Sequence, residues 1–189
     1  MADKYRNFDA LCKAERNGVD YHICLIRRIS SVAVIAPHGG FIEPGTSEIA
    51  AAVAGDDYNL YCFEGLRDRP HGDLHITSHR FDEPQCVGLL RDCQKVIAVH
   101  GRAGTDRRIE VGGLDAELRD AIHANLVSAE FESEIVDAGE LAGRHSLNIC
   151  NRSVRKMGCQ VEVSKALRAL LTSDGSLLNR FSQAIRLAL

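Results

Sequence analysis

Three short apolar runs limit what this chain can become: residues 32–35 (VAVI), 95–99 (KVIAV) and 159–163 (CQVEV). Each has the length and β-branched content of a buried strand. Each also leads into, or carries, a histidine or a carboxylate. The first breaks at Pro37, and His38, Gly39, Gly40 and Glu43 follow before residues 46–50 (TSEIA) start a helix. The second ends in His100-Gly101, and the third holds Glu162 inside it. In open α/β sheets ligands bind in the crevice beyond the carboxyl ends of the strands, so these polar groups are the first candidates for chemistry.

The rest of the pattern alternates in the same way. Residues 21–28, 59–63, 74–78, 108–111 and 134–136 read as further strands. Residues 9–17, 48–54, 84–93, 115–130, 165–171 and 173–189 read as helices. The helix over 115–130 is amphipathic, with Leu118, Ile122, Leu126 and Val127 assigned to one face and Asp115 as N-cap. Ser164 is placed to cap the helix after it. Strands alternating with helices predict an α/β three-layer sandwich with a central mixed sheet. With 189 residues, 45% of them hydrophobic, and no internal boundary, residues 1–189 are expected to form a single domain.

A net charge of −3 and the absence of a long basic run argue against a chain built to hold nucleic acid. The polar start lacks a signal-peptide core and no apolar run reaches membrane-spanning length, so a cytoplasmic protein without a membrane partner is expected. The seven cysteines are scattered without a CxxC pair, which points to small buried hydrophobes rather than a zinc ribbon. Nothing in the sequence specifies an oligomeric state.

His38, Glu43 and His100 have the donor chemistry of a catalytic zinc site, since two imidazoles and one carboxylate leave a position open for water. Glu162 would be the general base. His38 and Glu43 are five positions apart, so they do not stack on one helix face as in HExxH. A turning loop must bring them together, and Gly39 and Gly40 allow one. Blander readings stand beside this: His38 as a backbone-bonded loop histidine, Glu43 as a solvated carboxylate, and Glu162 facing water while Val161 and Val163 point inward. His71, His75 and His79 lie in a polar, turn-rich stretch; His75 and His79 read as structural or surface residues rather than ligands, with His79 a candidate substrate contact. His22, His123 and His145 are taken as structural.

PHGGFIEPGTSEIA (37–50) resembles the signature of the phage and bacterial poly-γ-glutamate hydrolases, a zinc-peptidase-like group often labelled phage-related replication proteins. HITSHRFDEP (75–84), KVIAVHG (95–101), NICNR (148–152) and GCQVEVSKALR (158–168) follow in the expected order. The resemblance implies a fold similar to zinc carboxypeptidases, zinc held by His38, Glu43 and His100, and Glu162 as catalytic carboxylate. It implies cleavage of γ-glutamyl amide bonds, and a phage-derived copy would be released on lysis.

Such a substrate is anionic and calls for guanidinium groups, which grip carboxylates in a bidentate fork. Arg102, Arg107, Arg152 and Arg155 are the candidates, with Asn151 beside Arg152 resembling the Asn-Arg pair of zinc carboxypeptidases. Two other readings remain: a zinc amidohydrolase of small N-acyl acidic amino acids, and a non-catalytic replication or binding protein.

Overall fold

The computed structural model describes residues 3–67 and 73–189, so His71 lies outside the described residues. Seven strands form one sheet: β1 (Tyr21–Ile26), β2 (Val32–Gly40), β3 (Asn59–Gly65), β4 (Lys95–Arg102), β5 (Ile109–Gly113), β6 (Ser133–Ile135) and β7 (Cys159–Ser164). Their spatial order is β1-β3-β2-β4-β7-β5-β6. β3, β2, β4 and β7 run parallel, whereas β1 against β3 and β5 against β7 are antiparallel. The helices are α1 (Phe8–Cys12), α2 (Thr46–Ala54), α3 (Pro84–Leu90), α4 (Ala116–Ser128), α5 (Lys165–Ser173) and α6 (Gly175–Arg186). No helix among the described residues is long and apolar enough to cross a membrane.

The apolar runs are strands because both faces of the sheet are covered. On one face Val34, Ile97, Val99, Ile109, Val111, Val161 and Val163 pack under α2, α4, α5 and α6. On the other Ala33, Ile35, Tyr61, Phe63, Val96 and Ala98 pack under α1, α3 and the segment carrying Ile76 and Phe81. The result is the expected three-layer α/β sandwich with a mixed central sheet. From β2 the chain passes through α2 to β3 on one side, then through α3 on the opposite face to β4 on the other side. The carboxyl ends of β2 and β4 therefore flank a topological switch point, where a crevice opens.

Several details differ from the sequence reading. Residues 74–78 form no strand; they run irregularly, and the carbonyl of Ile76 turns toward the side chain of His38 instead of a neighbouring strand. β2 extends through His38, so this histidine sits on a strand and not in the loop, while His100 lies near the end of β4 as its run suggests. Val127 is 51% exposed, because at about 100° per residue it lies roughly opposite Leu118. α6 begins after Asp174, whose carboxylate accepts from Ser176 N and Leu177 N. Asp115 caps α4 through Leu118 N, and Ser164 caps α5 through Leu167 N. All seven cysteines are unpaired; Cys12 is exposed and Cys24 only half-buried, and the other five are buried.

Candidate active site

Simple strand alternation would put His38 on the face of Val34 and Ala36. The register between β2 and β3 slips between Ala36 and Gly39, where one extra residue is inserted in β2. Such a bulge re-aims the side chains after it, and Pro37, lacking an N–H, is tolerated there. His38 consequently joins the opposite face, its ring 4.1 Å from that of His75 and 5.0 Å from that of His100, centroid to centroid.

The loop then doubles back. Glu43 N–H donates to the His38 carbonyl (2.9 Å), and Thr46 Oγ donates to the Glu43 carbonyl (2.9 Å). This turn needs glycine at position 40, where φ is +61° and a Cβ would collide with the carbonyl of Gly65.

His38 Nδ1 lies 3.2 Å from Glu43 Oε1 and 3.2 Å from His100 Nδ1; His100 Nδ1 lies 3.8 Å from Glu43 Oε2. The edge of a tetrahedron with metal–donor bonds of about 2.0–2.1 Å is about 3.3 Å, so these three donors fit a zinc ion. Each is also held from behind. His38 Nε2 is 2.8 Å from the Ile76 carbonyl, which only accepts, so the proton sits on Nε2 and Nδ1 faces the cluster. Glu43 Oε2 accepts from Gly101 N–H (2.7 Å), and His100 Nε2 lies 3.5 Å from Ser78 Oγ.

His75 brings a ring nitrogen within 4.8 Å of the donor atoms of His38 and Glu43. Its Nδ1 is bonded to Asp3 Oδ1 (2.6 Å), and the other oxygen of Asp3 accepts from Thr77 N–H and Oγ. With its Nδ1 taken by Asp3, His75 can turn only Nε2 to the cluster, so His75 and His100 both stand beside the His38–Glu43 pair.

Glu162 projects on the same face. Across the sheet His100, Glu162 and Glu110 are register partners on β4, β7 and β5. Val161 and Val163 do point into the core, but Glu162 faces the cleft rather than open solvent, only 7% exposed, and accepts from Gln160 Nε2 (3.0 Å). Burial first, then the negative charges of Glu43 and Glu110, push its carboxyl well above the ordinary range.

Burial would also raise Glu43, but the charge and hydrogen bond of His38 outweigh it and hold Glu43 at about 2. Burial would lower His38; Glu43 reverses that and raises it. Burial first, then the charges of His38 and His75, outweigh the pull of Glu43 and lower His100 to about 3. With no cation present, these shifts favour a protonated His38 beside an ionised Glu43.

These groups line a cleft of ≈ 900 Å³ together with Ser78, His79, Arg102, Asp137, Arg144, His145 and Asn148. His79 stacks on His145 with ring centroids 4.8 Å apart. Arg102 reaches the cleft, yet it is paired with Asp106 (2.6 Å) and Glu110.

The structure does not bring the other expected substrate groups there. Asn151 is buried, donating to the carbonyls of Gly143 and His145 and accepting from Leu114 N–H and Gly158 N–H, so it braces the cleft wall from behind. Arg152 donates to the Leu147 carbonyl, Arg155 pairs with Asp115 (2.9 Å), and Arg107 is exposed outside the cleft. Adjacency to Asn151 or to His100 in sequence did not carry these long side chains to the site.

Sequence reasoning missed His75, read as structural or surface yet set against His38 in the cluster, and His145, read as structural, and gave no role to Arg144, Asp3 or the buried Arg168. Asp3 lies 72 residues from His75, and no local spacing signals that meeting.

The pattern of the poly-gamma-glutamate hydrolase family matches residues 5–185. The SPbeta prophage-derived protein YoqZ of Bacillus subtilis (strain 168) is 38% identical over 180 residues, 95% of this chain and 65% of YoqZ. YndL of the same organism is 37% identical over 179 residues, 94% of this chain and 70% of YndL. The chain thus spans about two thirds of the length of these relatives.

A bacteriophage poly-gamma-glutamate hydrolase structure superposes with a TM-score of 0.92 at 33% identity, covering 99% of this chain and 96% of the other. Zinc-free YndL gives 0.93 at 32% identity, covering 99% and 97%. A metallopeptidase structure from Shewanella baltica, at 0.53 and 11% identity over 92% and 83% of the two chains, shares the fold alone. The chain belongs to the poly-γ-glutamate hydrolase family.

Proposed function

We propose that this protein is a zinc-dependent hydrolase that cleaves γ-glutamyl amide bonds of poly-γ-glutamate. His38, Glu43 and His100 are the ligands and Glu162 is the general base. The observation that carries the reading is the convergence of two Nδ1 atoms and a carboxylate at 3.2–3.8 Å, with a buried fourth carboxylate on the neighbouring strand facing the same cleft. A bound zinc would supply Lewis acidity for the scissile carbonyl and acidify a water.

The chain's own residues do the rest. Glu162, held by Gln160, accepts the proton of the attacking water and passes it to the departing amine. The burial and neighbouring carboxylates that raise its carboxyl pKa make it a stronger base than a free glutamate. Arg102 lies at the rim, and its use as an oxyanion or carboxylate partner requires it to leave Asp106 or Glu110. Arg144, 48% exposed, also lining the cleft and paired with Asp137, is the other guanidinium within reach of an anionic chain. A cleft of ≈ 900 Å³ is large for a ligand pocket, and suits an extended polymer better than one small acyl amino acid.

The test is to follow poly-γ-glutamate chain length by size-exclusion chromatography with wild-type protein, chelated protein and chelated protein given zinc back. The expected result is shortening, its loss and its return. Cleavage of N-acyl-glutamate with the polymer left intact would replace the substrate assignment, and salt-sensitive DNA binding without metal-dependent hydrolysis would replace the class.

A further inference from the structure

The buried guanidinium of Arg168 lies directly behind the proposed active site without lining it. Arg168 sits one turn into α5, which follows β7 without a break, and is 5% exposed. Its Nε donates to the carbonyl of Pro44 (2.8 Å), next to Glu43. Its Nη1 donates to the carbonyl of Arg102 (3.1 Å), two residues beyond His100, and to that of Val163, next to Glu162.

One side chain thus ties together the Glu43 loop and the carboxyl ends of β4 and β7. A planar guanidinium suits this role because its donors keep fixed directions, which an ammonium does not offer. Gly101 completes the arrangement. Its N–H donates to Glu43 Oε2, and any Cβ on it would run into the Arg168 guanidinium. Gly45, beside Pro44, would place a Cβ 3.1 Å from Arg168 Cβ.

We propose that Arg168 is a positioning residue that sets the separation of Glu43 from His100 and Glu162 by clamping the carbonyls of Pro44, Arg102 and Val163. This rests on the hydrolytic-centre reading above, and deepens it by naming what spaces the ligands. Arg168 touches neither the cleft nor a reacting atom, so its effect must pass through the groups it holds. Partners behind metal ligands typically change affinity by about 10–100-fold when altered.

The test compares R168K, which keeps the charge and loses the fork, with G101A, which keeps every ionisable group and pushes the fork away. Both are measured as whole chains, alone and combined. Zinc affinity is read by competition with a chelating dye, and exchange of the Gly101 amide is read by NMR in chelated protein.

The expected result is a loss of zinc affinity of about 10-fold or more in each single variant, faster Gly101 exchange, and kcat lowered with KM within about twofold. The double variant should resemble the worse single variant, because the two changes disable one device. Wild-type zinc affinity and Gly101 exchange in folded R168K would overturn the proposal, as would fully additive effects. If the wild-type protein bound no zinc, the hydrolytic reading would fail. Gly101 exchange would still decide the clamp, unchanged exchange in R168K sinking it and faster exchange supporting it.

Discussion

At the scale of single residues the decisive pair is His38 and Glu43. His38 keeps its proton to a higher pH than a free imidazole because Glu43 is 3.2 Å away. A cation on Nδ1 displaces the proton of a charged His38, so zinc affinity should fall as pH drops below the raised His38 pKa, with proton release accompanying zinc binding there. Calorimetry in two buffers of different ionisation enthalpy counts it, and a count of zero would show His38 already neutral. Glu162 makes a separate prediction. Glu162→Gln preserves shape and removes the base, so kcat should drop by at least about 10²-fold with zinc content unchanged. A variant that retained turnover would remove Glu162 from the mechanism.

At the scale of elements the decisive feature is the bulge in β2. It re-phases the strand after Ala36 so that His38 and His100 share a face, and it feeds the turn that returns Glu43 to His38. Gly40 in this turn tolerates substitution poorly, being left-handed and pressed on Gly65. Gly40→Ala should cost at least about 1–3 kcal/mol in urea unfolding and weaken zinc binding as well. A neutral result would mean that the turn tolerates a Cβ and does not fix Glu43. The caps of α4 and α5 act differently: Asp115 and Ser164 hold helix starts, and Arg155 serves Asp115 rather than substrate.

At the scale of the whole molecule the site sits at a switch point between two covered faces, so ligand binding and fold stability are linked. Zinc at 100 times its Kd should stabilise the native state by about 2.7 kcal/mol, worth roughly 5–10 °C in Tm for a chain of this size. Differential scanning calorimetry with chelator and with zinc measures this; an unchanged Tm would contradict a preformed site.

Chelated protein should also lose stability on acidification. His100 takes up its proton near pH 6.5 when unfolded and only at about 3 when folded, so falling pH between those values favours the unfolded state. The stability due to Glu43 is present above about pH 4.5 and is lost toward about 2. The share due to His38 runs the other way, present below about pH 6.5 and lost as pH rises through its raised folded value.

What the sequence determined by itself is what local periodicity encodes. The strand runs, most helices, the caps Asp115 and Ser164 and the three-layer α/β class were legible because burial on a two-faced sheet demands those patterns. The conjunction of His38, Glu43, His100 and Glu162 was suspected because each lies at or near the end of a strand pattern. Tertiary structure alone decided the rest. Register slippage at Pro37 chose the face of His38, a distant carbonyl at Ile76 chose its tautomer, and Asp3 came from the far end of the chain to hold His75. The arginines show the limit most clearly. A long cationic side chain goes wherever an acceptor is nearest in space, so Arg155 went to a helix cap and Arg168 to three backbone carbonyls, and no spacing along the chain encodes either choice.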